Sequence, residues 1–124
     1  DSLPALIKAY RIQDKARGIG FDWDHKEQVW DKVKEELAEL EDEMMQQENQ
    51  AAIEAEFGDV FFSLINAARL YGINPENALE KTNLKFISRF NYLEEKTLQQ
   101  GMNLREMTVE EMDVYWNEAK DLNT

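Results

Sequence analysis

Apolar residues return every three or four positions along almost the whole chain, and runs of β-branched residues are few. That period belongs to the α-helix and not to the alternation of a half-buried strand, so the chain is confined to an all-α fold. A first helix is expected from near Ser2, with Pro4 in its opening turn, to Gly18–Gly20. Gly20-Phe21-Asp22-Trp23 then reads as a turn carrying two exposed aromatics. Asp24 followed by Glu27 resembles a capping box and predicts a second helix from about His25 to Gln47. A third covers about Gln50 to Tyr71, with Gly72 as its terminator. Asn74-Pro75 opens a fourth that continues to about Gln100, ahead of Gly101. Thr108 with Glu111 forms another capping box, opening a fifth helix through about Leu122, and Met102 to Met107 is a short connector. With 124 residues, no internal repeat and no low-complexity linker, residues 1–124 are expected to form one domain, an antiparallel bundle of about five helices. The chain begins at Asp1 rather than Met, so we expect a fragment of a longer protein or a trimmed chain.

Composition removes several functions. There is no cysteine, which excludes disulfides, thiolate metal sites and cysteine nucleophiles and is compatible with a cytoplasmic setting. No apolar run approaches the roughly 18 residues of a membrane span. The formal charge of −12 argues against a basic surface for long nucleic acids. A phosphate compound remains compatible with such a chain when cations bridge the two.

The acids are not spread evenly. On the second helix Val29, Val33, Leu37, Leu40 and Met44 form an apolar stripe, and Glu36, Glu39 and Glu43 follow one edge of it. The third helix repeats the plan, with Ile53, Phe57, Val60, Phe61, Leu64 and Ala68 as the stripe and Glu56 and Asp59 at its edge. Helices joined by a short loop pack antiparallel, which brings the pairs Glu36/Glu39 and Glu56/Asp59 together. Four carboxylates at a core margin repel one another and resist desolvation unless a divalent cation neutralises them. All-oxygen ligands suit magnesium or manganese. Solvated surface acids are the plain alternative, and it is the better reading for Glu41 and Asp42. The bundle type of di-iron site needs Glu-x-x-His pairs, and His25, the one histidine, stands outside that pattern.

The fourth helix carries the seam Leu79, Asn83, Phe86, Phe90, Leu93 and Thr97. Asn83 either fixes packing register or hydrogen-bonds a ligand. Lys81, Lys85 and Arg89 recur every four residues beside that seam. They make surface ion pairs, or Lys85 and Arg89 meet the phosphates of a metal-bound nucleotide. On the fifth helix Met112, Tyr115, Trp116 and Ala119 share a side: a core or interface stripe, or, for Trp116, a flank for a nucleobase with Lys120 one turn on. Trp23 and Trp30 read as packing residues. Phe86 and Phe90 on the seam and Ile87 on another face of the same helix suggest a chain that associates with a second copy.

Glu35-Glu36-Leu37-Ala38-Glu39 followed by Glu56-Phe57-Gly58-Asp59 resembles the MazG signature, E-E-x-x-E then E-x-x-D. The resemblance extends to Lys15 through Trp23, to Lys81 through Phe86 with Arg89-Phe90, and to Met112 through Lys120, and is to the second, catalytic MazG domain of the bacterial two-repeat protein, which implies that residues 1–124 are the C-terminal part of a longer chain. It implies an all-α fold that forms a homodimer. It also implies magnesium-dependent hydrolysis of a nucleoside triphosphate to a monophosphate and pyrophosphate, in the service of nucleotide-pool cleaning. Carried over by position, it implies that Glu36, Glu39, Glu56 and Asp59 are metal ligands and Glu35 a nearby acid that orients water. Lys32, Lys85 and Arg89 would face phosphates, with Trp116 and Lys120 near the nucleotide. One departure is visible: Ala51, Ala52 and Ala55 stand just before Glu56, where further charged residues are expected. The rival reading is a non-catalytic acidic helical module for dimerisation or regulation.

Overall fold

The computed structural model describes residues 3–46 and 49–122. These hold five α-helices, one 3-10 turn and no strand. The α-helices are α1 (Ala5–Gly18), α2 (Gln28–Gln46), α3 (Gln50–Leu70), α4 (Pro75–Gln99) and α5 (Val109–Leu122), and the 3-10 turn is Leu104–Glu106. The all-α expectation holds. The chain divides into two compact units, Asp1–Ala78 and Leu79–Thr124.

Most helix ends follow the local chemistry that marks them. Asn49 caps α3, its side chain accepting from the backbone N–H of Ala51 and Ala52. Asn74 Oδ1 accepts from the Asn77 N–H at 3.1 Å and opens α4. Thr108 and Glu111 form the reciprocal capping box at α5, with bonds of 3.1 and 2.9 Å. Gly72, with φ +73, closes α3 in the left-handed conformation that glycine enters without steric cost. Pro4 precedes α1 rather than joining its first turn, because its ψ of 147° is extended. The expected start at Ser2 and end of the second helix at Gln47 lie outside the described residues.

The start of α2 differs from expectation. The Asp24/Glu27 box does not open the helix. Gln28 reaches back instead, its Oε1 accepting from the His25 N–H at 3.3 Å, and backbone bonds of the 3-10 type lead from His25 into the helix. The helix therefore begins at Gln28, and Asp22 through Glu27 remain a loop.

In the first unit Trp30 Nε1, near the start of α2, donates to the Tyr71 hydroxyl, beyond the end of α3, at 3.0 Å. The two helices are thus antiparallel, and Val29 and Val33 pack against Ala67 and Leu70. The buried stripes are rotated from those read in sequence. In α2 the buried residues are Val29, Val33, Glu36 and Leu40, whereas Leu37 is 42% exposed. In α3 they include Val60, Ser63 and Ala67, while Phe57, Phe61 and Leu64 are exposed. The small Ala67 packs on α2, and the bulky Phe57 and Phe61 are left exposed. Ser63 satisfies its hydroxyl within its own helix by donating to the Val60 carbonyl at 2.8 Å. Helix α1 packs on α3, where Gln13 Nε2 donates to the Phe62 carbonyl at 3.0 Å.

In the second unit Leu93, Thr97, Met107 and Ala119 are buried. Thr97 Oγ1 donates to Met107 Sδ at 3.3 Å, tying the connector to α4. Tyr92 donates to Glu118 at 2.7 Å, joining α4 to α5.

Candidate active site

Rotation of the two stripes changes the standing of the acids. Glu36 follows Val29 and Val33 on the packed face of α2 and is only 6% exposed. Glu56 stands one turn before Val60 on the packed face of α3 and is half-buried, and Asp59, three residues further on, is exposed. The antiparallel pairing brings the three together, with one carboxylate oxygen from each lying within 4.8 Å of the others. Glu36 Oε2 and Glu56 Oε2 are buried without a hydrogen-bond partner. Two orphaned anionic oxygens in one cluster are a costly arrangement that a divalent cation relieves. The donor set is all oxygen and so fits a hard cation.

Glu39 lies one turn along α2 from Glu36 and is exposed, outside that tight triad. The charge of Glu36, then some loss of hydration, then the charge of Glu56 hold its carboxyl above the ordinary value. Glu56 is pushed up as well, first by burial and then by the charges of Asp59 and Glu36. Lys32 answers part of this charge. Its Nζ lies 2.9 Å from Glu36 Oε1 and 3.0 Å from Glu35 Oε2, and those bonds raise its pKa well above the usual lysine value.

The remaining expected site residues belong to α4 and α5. Arg89 is half-buried, its guanidinium lies 6.0 Å from the centroid of the Trp116 ring, and its Nε is buried without a partner. Trp116 itself packs on Phe86 with centroids 5.1 Å apart. Lys85 and Lys120 are exposed. Asn83 is exposed as well and donates to Glu80 on its own helix at 3.3 Å.

Sequence reasoning missed a second set of groups in the first unit. Arg69, 8% exposed, donates from Nη2 to Asp22 Oδ1 at 2.8 Å and from Nη1 to Asp22 Oδ2 at 3.4 Å. It also donates from Nη2 and Nε to Asn66 Oδ1 at 2.7 and 3.2 Å. The Arg69 bond holds the Asp22 carboxyl below its ordinary value against the opposing effect of burial. This fork pins the loop before α2 onto α3. Beside it lies a cavity of about 630 Å³, lined by Trp23, Phe21, Gln13 and Phe62 and reaching Glu36 and Asp59. The signal in sequence was Arg69 itself, a lone cation in the apolar stretch from Val60 to Leu70.

Comparison with known proteins identifies the family. The model of the MazG nucleotide pyrophosphohydrolase domain matches residues 25–93. The chain is 42% identical over 118 residues to the nucleoside triphosphate pyrophosphohydrolase/pyrophosphatase MazG of Thermotoga maritima, an alignment covering 95% of this chain and 45% of that protein. It is 39% identical over 120 residues to a nucleoside triphosphate pyrophosphohydrolase of Escherichia coli (strain K12), covering 96% of this chain and 46% of that one. A shorter match, 52% identical over 69 residues, is to YabN of Bacillus subtilis (strain 168), covering 56% of this chain and 14% of that protein. The chain spans about half the length of the first two relatives. The matched region contains the converging acids of α2 and α3, and the chain belongs to the MazG nucleotide pyrophosphohydrolase domain family.

Proposed function

We propose that this chain hydrolyses nucleoside triphosphates, ribo- or deoxyribo-, to the monophosphate and pyrophosphate, in the service of nucleotide-pool cleaning. The observation that carries the proposal is the convergence of Glu36, Glu56 and Asp59 with two buried carboxylate oxygens unpaired. These three, with Glu39 beside them, would hold magnesium, for which manganese is a fitting substitute. A divalent cation held there would supply polarisation of phosphoryl oxygens and a more acidic water. Glu35, exposed at the margin of the cluster, accepts a hydrogen bond from the attacking water and so orients it. Water's oxygen bonds to the α- or the β-phosphorus as the phosphoanhydride P–O bond between them breaks; the departing phosphate takes the bonding electrons, the water's proton passes to solvent, and monophosphate and pyrophosphate result.

The cations have a separate task. Lys32, already charged and within reach of the cluster, attracts the phosphates. Lys85 and Arg89 offset their charge, and the unpaired Arg89 Nε fits a phosphate oxygen. Trp116 steadies Arg89 beside the nucleotide, with Lys120 and Asn83 as further polar contacts. The proposal includes a homodimer and a cytoplasmic setting. A non-catalytic helical module gives no account of two orphaned anionic oxygens in one cluster.

Incubation with a panel of nucleotides and magnesium, assayed for pyrophosphate and monophosphate, tests the reaction. Asp59→Ala should weaken metal binding and nearly abolish turnover. Arg89→Ala should keep metal binding and raise KM or lower kcat, by roughly 1.5–3 kcal/mol of transition-state stabilisation. Glu41→Ala, at an exposed position, is the unaffected control. Full activity in Asp59→Ala together with lost metal binding in Arg89→Ala would reverse the assignment.

A further inference from the structure

Lys32 stands one turn before Glu36 on α2, and both line the cavity of the first unit together with Asp59. Its ammonium reaches one oxygen of Glu36: Nζ lies 2.9 Å from Oε1, while Oε2 is buried and unpaired. The same ammonium lies 3.0 Å from Glu35 Oε2. Helix stability does not explain the pairing, because a lysine four residues before a glutamate is the weaker order along a helix. The burial of the acid does. Glu36 is 6% exposed, and a carboxylate so placed keeps its charge only with a cation beside it. The two partners differ in freedom. Glu36 is held on the packed face of α2, whereas the Lys32 side chain is 42% exposed on a flexible stem.

We infer that Lys32 is a built-in counter-ion of the acidic cluster, which competes with the divalent cation and gives up its place when that cation binds. A dication shared by Glu36, Glu56 and Asp59 would neutralise more charge than one ammonium does, and it would repel that ammonium. Glu36 stays where packing holds it, and the exposed stem of Lys32 turns toward water. The ammonium is thereby released beside the cluster, where an incoming phosphate can use it. Two consequences follow from this exchange. The repulsion among the acids is partly relieved by the chain itself, and the cation binds more weakly than the acids alone would bind it. A lysine that served only to orient Glu36 for the metal would act in the opposite sense, since its removal would weaken metal binding. The inference rests on the proposal that the cluster holds a divalent cation, and it names the group with which that cation competes.

Calorimetric titration with magnesium and with manganese, without nucleotide, reads the competition directly. Lys32→Met keeps a long unbranched side chain of similar helix propensity and removes the charge. It should bind both ions about threefold more tightly than wild type, or better. Lys32→Arg, which keeps the charge, should bind them within about twofold of wild type. Lys34→Met makes the same change of net charge at an exposed position of the same helix. It should also stay within about twofold of wild type, because solvent and salt screen that charge. Thermal midpoints give a second reading. Lys32→Met should melt below wild type in chelator, and saturating magnesium should close the gap, as linkage with the tighter binding requires. Metal binding by Lys32→Met no tighter than wild type's, a midpoint gap that persists at saturating magnesium, or an equal gain in Lys34→Met would overturn the exchange while leaving the metal site standing. A wild-type chain that binds neither ion would overturn the metal site, and the exchange with it.

Discussion

Arg69 is a charged side chain on α3 that is only 8% exposed, turned toward the loop before α2. A guanidinium so placed is tolerable only when paired, and Asp22 and Asn66 between them accept four of its contacts. Asp22→Ala should therefore cost roughly 3 kcal/mol, at the low end for breaking a buried pair because Asp22 is partly exposed. The pair also carries a pH dependence. The folded Asp22 carboxyl titrates below its ordinary value, so the stability it contributes is fully present above that value and is lost as pH falls through the lower, folded one. Thermal midpoints of wild type and Asp22→Ala should differ at neutral pH and converge in strong acid; a constant difference down to the most acidic condition would remove the ion pair from the account. At this scale the sequence was partly legible. Glu36, Glu56 and Asp59 could be picked out because the same three-residue edge spacing occurs on two successive helices. Glu39, chosen by the same spacing, stands outside the triad yet feels its charge. Gln13 could not be found that way, since a glutamine in an amphipathic helix looks like any solvated residue until α3 is packed against it.

Helix boundaries were legible wherever one side chain decides them. Asn74, Gly72 and the Thr108/Glu111 pair each satisfy an orphaned backbone group or permit a left-handed turn, and the helices stop or start there. The phase of α2 and α3 was less legible. A stripe of large apolar residues and a stripe of small ones lie side by side on α3, and sequence favours the larger, whereas close helix packing selects Val60, Ser63 and Ala67. That choice turns Glu36 and Glu56 inward, and Lys32 answers only part of the charge gathered between α2 and α3. Glu56 and Glu39 have raised folded pKa values, so in the metal-free protein their charges destabilise the fold at neutral pH. That penalty lifts as pH falls through those raised values. A bound cation lifts it at neutral pH instead, and it binds only the ionised carboxylates. Magnesium or manganese should accordingly raise the thermal midpoint at neutral pH, by an amount that shrinks on acidification toward the carboxylate range. A midpoint indifferent to both ions at neutral pH would leave the cluster without a cation.

At the scale of the whole molecule, exposed apolar surface and net charge pull in opposite directions. Phe57, Phe61 and Leu64 form an exposed row along α3, the two rings 6.2 Å apart, and Phe86 and Ile87 are exposed on α4. Such side chains recurring along helices, rather than scattered singly, mark surface that a partner covers. The homodimer proposed above is the simplest occupant, because a second copy brings the same complementary rows. Against it stands the formal charge of −12 on each copy, a repulsion that salt screens over about 8 Å at physiological ionic strength. The two effects together make a specific prediction. The chain should sediment as a dimer or larger at micromolar concentration, and the association should strengthen, not weaken, as salt is raised, because apolar burial is kept while repulsion is screened. Phe61→Glu tests the surface itself. Phe61 is 59% exposed, so the change should leave the thermal midpoint of the single copy nearly unaltered while shifting the sedimentation toward monomer. A compact wild-type monomer at that concentration would end the dimer proposal, and an association indifferent to Phe61→Glu would move the interface away from the α3 row.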